Sequence, residues 1–175
     1  MLAEKDTRNP DFRLIFKLMR KDYLEKGIRP EQTRYKGKRA ISGSEFIYMM
    51  LNENILDFSG AYIYDLKCLG ANLEHINLMG TWMSNINIPH SSLSNADMRF
   101  ARISGNMVHV DFSNSIIVDS RLTGDFSFAN FFESNIAWSV IIGKMTNADM
   151  QHIHMMDSYI IESKDSERLK RLLIH

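Results

Sequence analysis

A single cysteine, few prolines and no net charge narrow what this chain can be. Cys68 alone cannot form an intramolecular disulfide or a cysteine-rich zinc site, and a lone thiol suits a reducing compartment. No uninterrupted apolar run approaches the length of a membrane span. The opening residues, MLAEKDTRNPDF, lack the apolar stretch of a secretory signal. The expectation is a soluble, cytoplasmic protein, secretion without a cleaved signal aside. Also missing are a glycine-rich loop opening a helix and any Ser-His-Asp or Cys-His arrangement. No catalytic residue, metal or cofactor is therefore expected. What is present is apolar residues, at 45% of the chain, enough for a core and against disorder.

The zero charge hides a gradient. Residues 1–53 carry 12 Lys/Arg against 8 Asp/Glu, residues 54–161 carry 5 against 10, and residues 162–175 carry 4 against 3. A basic end beside an acidic middle marks segments of different character. The boundaries read as a helical N-terminal cap over 1–53, a repeat region over 54–161 and a C-terminal helix over 162–175.

The repeat shows in SNADMRFARI, residues 94–103. Ala-Asp-Met recurs five residues later as Ala-Arg-Ile, a period that belongs to neither helix nor strand. Stepping back by fives from Ile103 gives Met98, Leu93, Ile88, Met83, Leu78, Leu73, Cys68, Ile63 and Phe58. Positions two before these centres are small or apolar, as at Ala61, Ala71, Thr81, Ser91 and Ala96. Beyond Ile103 the beat slips by one residue at Gly105, Gly124 and Gly143, which are 19 apart. A physical turn of the chain is thus 20 residues early on and 19 later, or four short sides. The chain reads as a four-sided coil whose turns stack like strands, ~4.8 Å apart. About five and a half coils make a rod roughly 26 Å long.

Ala71-Asn72-Leu73, Ala96-Asp97-Met98, Ala129-Asn130-Phe131, Ser134-Asn135-Ile136 and Ala148-Asp149-Met150 carry a small residue, Asp or Asn, and an apolar residue. This A(D/N)Lxx signature resembles that of the pentapeptide-repeat proteins. The resemblance covers about residues 54–161 and implies an all-β solenoid, the right-handed quadrilateral β-helix.

Aligned turns stack into four columns. The first has centres Phe58, Leu78, Met98, Ile117, Ile136 and Met155, and the second Ile63, Met83, Ile103, Leu122, Ile141 and Ile160. The third has Cys68, Ile88, Met107, Phe126 and Met145, and the fourth Leu73, Leu93, Phe112, Phe131 and Met150. These side chains should fill the interior, with methionine suiting irregular gaps and Cys68 inert. The glycines should relieve crowding where the third side loses a residue. Asp and Asn at the middle of each unit should bond nearby backbone in turns.

Function must then lie on the outside. Tyr62, Tyr64, Trp82, Arg102, Arg121, Val140 and Tyr159 line the second side, and Trp138 joins Ile116, Val118 and Met156 on the first. Aromatic, Arg and aliphatic side chains anchor interfaces, so this stripe is the candidate partner-binding surface. The competing reading is that the chain's own terminal helix covers it. His90 and His109 should stack ~5 Å apart on the third side. His152 and His154 form an H-x-H, and all four read as solvated rather than as ligands, since no third ligand converges.

Residues 9–26 read as an amphipathic helix with Phe12, Ile15, Phe16, Met19 and Tyr23 on one face. Arg34, Lys36, Lys38 and Arg39 make a basic patch, read as a solvated face. Residues 44–51, SEFIYMML, read as a short helix capped by Ser44. Residues 164–175 read as a helix with Leu169, Leu172 and Leu173 on its apolar side, a cap or dimer contact. The resemblance implies the dimer, because pentapeptide-repeat proteins that protect or inhibit DNA gyrase join two rods through such an element. It also implies a non-catalytic scaffold without a small-molecule substrate. The specific expectation is a DNA-mimicking modulator of bacterial gyrase or topoisomerase; direct nucleic-acid binding is not expected. The alternative is a secreted effector or adaptor docking a host protein through the aromatic–Arg face.

Overall fold

The computed structural model describes residues 40–163. In chain order these form β1 (Ile41–Ser42), α1 (Gly43–Glu53), β2 (Tyr62–Tyr64), β3 (Trp82–Asn87), β4 (Arg102–Asn106), β5 (Ile116–Val118), β6 (Arg121–Asp125), β7 (Asn135–Ala137), β8 (Val140–Lys144), β9 (His154–Met156) and β10 (Tyr159–Glu162). Two parallel sheets result. The seven-stranded one runs β1-β2-β3-β4-β6-β8-β10, and the three-stranded one β5-β7-β9. The other sides pair through single bridges such as Asn72 to Ser92 and Asp111 to Asn130.

The chain is a four-sided parallel β-solenoid. Its register follows the five-residue beat on every side. Ile63, Met83, Ile103, Leu122, Ile141 and Ile160 are successive Cα partners, as are Ile117, Ile136 and Met155. The sheet also takes in Ile41, paired with Ile63 and fully buried, upstream of the repeat span read from the sequence. The slip at Gly105 appears as a register shift between Met83 and Ile86.

Two backbone devices make the sides. The residue two after each centre turns the corner in the left-handed region: Asp65, Asn85, Asn95, Phe100, Asn114 and Trp138 are examples, with Gly60, Gly70 and Gly80 among the early ones. Asn, Asp and Gly adopt that region most readily. The residue before a centre holds the next turn. Asp97 accepts from the Arg99 amide at 3.1 Å, Asp111 from Ser113 at 2.9 Å, Asn130 from Phe132 at 2.9 Å and Asp149 from Gln151 at 2.9 Å. The Asp/Asn column is thus structural, as its backbone-bonding reading expects.

Core centres of the middle turns are buried completely, among them Phe58, Leu78, Met98, Ile117, Leu122, Phe126, Phe131 and Ile136. Phe112 and Phe131 stack with ring centroids 4.8 Å apart. The ends differ. Met155 of the last turn is 46% exposed. The first turn is closed by α1, whose Phe46 lies 4.3 Å from the Phe58 ring. The cap of α1 is Ser42, not Ser44: Ser42 Oγ accepts from the Glu45 amide at 3.3 Å while its backbone is still extended. The strand therefore hands directly to the helix through Gly43, where a Cβ would sit 2.4 Å from the Leu66 Cα. Asn54 ends the helix in the left-handed region, donating its amide to the Met49 carbonyl.

A buried hydroxyl ladder runs beneath the second side. Ser139 Oγ shares its proton between the Ile117 carbonyl at 2.8 Å and the Ala137 carbonyl at 2.9 Å, and accepts from the Ser120 amide at 3.0 Å. Ser120 and Ser158 repeat the pattern one turn to either side. Replacing Ser139 with Ala strands the buried Ser120 amide, so urea denaturation should show a loss of about 1–3 kcal/mol.

Candidate docking face

The seven-stranded sheet presents a regular outer column because pairing is in register. Tyr62 stands opposite Trp82, Trp82 opposite Arg102, Arg102 opposite Arg121, Arg121 opposite Val140, and Val140 opposite Tyr159. All six belong to the stripe read from the sequence. The early part is aromatic. Tyr62 packs on Trp82 at 5.4 Å and on Tyr64 at 5.8 Å between ring centroids, and its hydroxyl meets Ser84 Oγ at 3.1 Å. These contacts hold the rings rigid, while Trp82 remains 55% exposed.

The middle is cationic. Burial lowers the pKa of both guanidiniums, and Arg121 beside Arg102 lowers the latter further. Neighbouring strands force the two like charges to stack one turn apart. Arg121 Nε is buried without an acceptor among the described residues.

The late part is divided between a buried and an exposed residue. Val140 is only 8% exposed, so it drops out of the accessible stripe, although its side chain points outward. Tyr159 is 39% exposed. Trp138 sits at a corner rather than on this face. It lines a groove of about 590 Å³ with Val118, Ala137, His154 and Met156 along the three-stranded sheet.

Elsewhere the outer columns are consistent with spectator roles. His90 and His109 stack at 4.5 Å between centroids, as the column spacing anticipates. Phe128 extends the stack at 4.7 Å, which the sequence reading did not include. His152 packs edge-on against Phe132. Among the described residues, no group of three or more His, Cys, Asp or Glu is placed to hold a metal ion. Cys68 is half-buried, and burial raises its pKa against a smaller opposing hydrogen bond from Ser91, which disfavours the reactive thiolate. No described helix is long and apolar enough to cross a membrane. Leu169, Leu172 and Leu173, the helix read over 9–26 and the basic residues Arg34, Lys36, Lys38 and Arg39 lie outside the described residues.

Asp119 offers a pH test. It sits at a left-handed corner where burial raises its carboxyl pKa above 3.8. A folded-state pKa above the unfolded value means the native state loses stability as pH rises through that window. Asp119→Asn keeps a residue suited to the corner and removes the charge. Its melting temperature should exceed the parent's at neutral pH, and the two should converge below the unfolded carboxyl pKa.

Five-residue sides, left-handed corners, Asp/Asn turn bonds and a centre column facing inward define one architecture. The fold is a quadrilateral parallel β-helix, the architecture that the repeat resemblance implies. No family model and no curated protein matches the sequence. Among solved structures, the chain is similar to the pentapeptide-repeat protein Rfr23 from the cyanobacterium Cyanothece 51142, at 13% identity over 75% of this chain and 92% of that one, with a TM-score of 0.32. Trypsin-treated QnrB1, a plasmid-mediated fluoroquinolone resistance protein, aligns at 13% identity over 67% of this chain and 83% of that one, with a TM-score of 0.26. The fold assignment rests on the geometry of this chain itself.

Proposed function

We propose that this pentapeptide-repeat rod is a non-catalytic scaffold that docks a protein partner through Tyr62, Tyr64, Trp82, Arg102 and Arg121. The observation that carries the reading is the outer column of the seven-stranded sheet, where fixed aromatic rings lead directly into two arginines. Such side chains supply large contact area at small entropic cost and dominate binding energies. A scaffold role also suits an interior filled by its own core centres, with chemistry confined to the outer columns. Trp82→Ala should weaken partner binding by about 2 kcal/mol or more, roughly thirtyfold, while leaving the melting temperature near the parent's. A Trp82→Ala protein that bound its partner with unchanged affinity would remove the stripe from consideration.

The specific partner we propose is a bacterial type II topoisomerase such as DNA gyrase, with the rod imitating duplex DNA. Residues 40–163 carry 13 Asp/Glu against 5 Lys/Arg, a net charge of −8, which supports this reading. A supercoiling assay over a titration of the protein, with and without a fluoroquinolone, tests it. Inhibition or drug protection at micromolar concentration or below is the expected result. A folded protein without effect would favour the second reading, an adaptor or secreted effector whose partner is sought by pull-down with and without the Trp82 substitution. The aromatic–Arg stripe favours that second reading, since it is the opposite of an acidic DNA-like surface.

A further inference from the structure

Methionine fills the core of this rod, and at the last turn that role lapses. Centres Met98, Ile117 and Ile136 of the first column are fully buried, but Met155, next in line, is 46% exposed. Met156 is 48% exposed, and His154 is exposed beside them. The three make up β9, the edge strand of the three-stranded sheet. All three line the groove of about 590 Å³ into which Trp138 also faces. The Trp138 amide donates to the Met156 carbonyl at 2.8 Å, which fixes the corner carrying the indole to the strand carrying the thioether. Among the described residues, no lysine, arginine or carboxylate lines this groove.

We propose that His154, Met155 and Met156 bind a soft monovalent metal ion, Cu(I), with the Trp138 indole against it. Alternation along β9 puts His154 and Met156 on one side, with Cα atoms ~7 Å apart. One ion can then bond an imidazole nitrogen and a thioether sulfur together. Met155 starts from the opposite side of the strand. No further strand pairs with β9 among the described residues, so its long, flexible side chain can reach round the open edge. Thioethers select Cu(I), and imidazole also suits copper. This ligand set is neutral, so the ion keeps its charge, which the π face of an indole attracts better than other rings. Zinc is disfavoured, because its sites draw on Cys, His, Asp and Glu, and no group of three of these converges among the described residues. That exclusion does not extend to methionine. His154 reads from the sequence as solvated for want of a third ligand, and the exposed thioethers supply it. The turns beneath cannot repeat the site. Ile116 and Asn135 lie in register with His154, and Val118 and Ala137 with Met156. The site also lies apart from the Tyr62–Arg121 column, which belongs to the other sheet.

Silver nitrate, a redox-inert ion of the same charge and softness, is the probe. It is titrated into the full chain labelled with ¹³C at the methionine methyls. The Met155 and Met156 methyl resonances should move and saturate at one site, while the other methionines stay in place. Cu(I), kept reduced with ascorbate under argon, should displace the silver. Affinity is then compared in a Cys68→Ala background, which removes the one thiol. There His154→Gln and Met156→Leu should each weaken silver binding about tenfold or more, at least what loss of a supporting group costs a metal site. Met156→Leu conserves volume at an exposed position, and a thermal melt checks that each variant is folded. Quenching of Trp138 fluorescence in a Trp82→Phe chain reports the indole. Four outcomes would overturn the proposal: shifts confined to other methionines, unchanged affinity in both variants, failure of Cu(I) to displace silver, or displacement by an equal concentration of zinc sulfate. The last would mark an ordinary imidazole site in place of a thioether one.

Discussion

Ile117→Asp will leave no folded protein. Ile117 is fully buried in the first column, in register with Ile136, and its carbonyl receives the Ser139 hydroxyl. An aspartate there has no cation to pair with inside a column of apolar centres. The lost apolar burial and the desolvated carboxylate together exceed about 5 kcal/mol, comparable with the whole stability of a small domain. The position sits mid-rod, so both flanking turns lose their stacking partner. Far-UV circular dichroism at neutral pH should show loss of the β spectrum and no cooperative melt. A variant melting at the parent's temperature would mean that the column register is wrong.

Gly124→Ala should be nearly as damaging, for a different reason. The third side loses one residue per turn at Gly105, Gly124 and Gly143, and the backbones there approach too closely for any side chain. A Cβ on Gly124 would lie 1.8 Å from the Gly105 carbonyl oxygen, and one on Gly143 1.8 Å from the Gly124 oxygen. Both obstacles are backbone, held by the pairing of β4, β6 and β8, so neither can swing aside. Gly124 also has φ +157, which alanine rarely adopts. We expect a loss of about 4 kcal/mol or more in urea denaturation, through overpacking and backbone strain together. Gly70→Ala is the matched comparison. Its φ is +63 but the nearest atom to a Cβ is 3.9 Å away, so it should lose only about 1 kcal/mol. Equal losses at the two positions would show that left-handed strain alone, not close approach, sets the glycine requirement.

Much of the architecture is legible along the chain because a solenoid turns long-range contact into periodicity. Each inward position is filled from a local unit, so Met98 and Ile103 report their faces without reference to distant sequence. The same logic puts Tyr62, Trp82, Arg102 and Arg121 in one outer column, and pairing confirms that order. The glycine spacing reports the shortened side for the same reason. Less legible were features that depend on a few ångströms rather than on a count. Placing the cap of α1 at Ser44 followed a capping preference, but Gly43 is required by the Leu66 backbone, and this moves the cap to Ser42. Phe128 joins the His90–His109 stack because a corner column takes whatever residue stands there, even a bulky one at positive φ. The hydroxyl ladder of Ser120, Ser139 and Ser158 looks in the sequence like a run of small residues. Only the position of neighbouring carbonyls turns it into hydrogen bonds.

By itself, then, the sequence determined the period, the four columns, the inward centres and the membership of the outer stripe. Those properties follow from side-chain size and polarity repeated at fixed intervals. The tertiary structure decided which outer residues meet water. Val140 and Trp82 occupy equivalent positions, and a sequence cannot distinguish them, yet one is buried and the other exposed. Exposure is set by the tertiary surroundings of each position, which no single five-residue unit encodes.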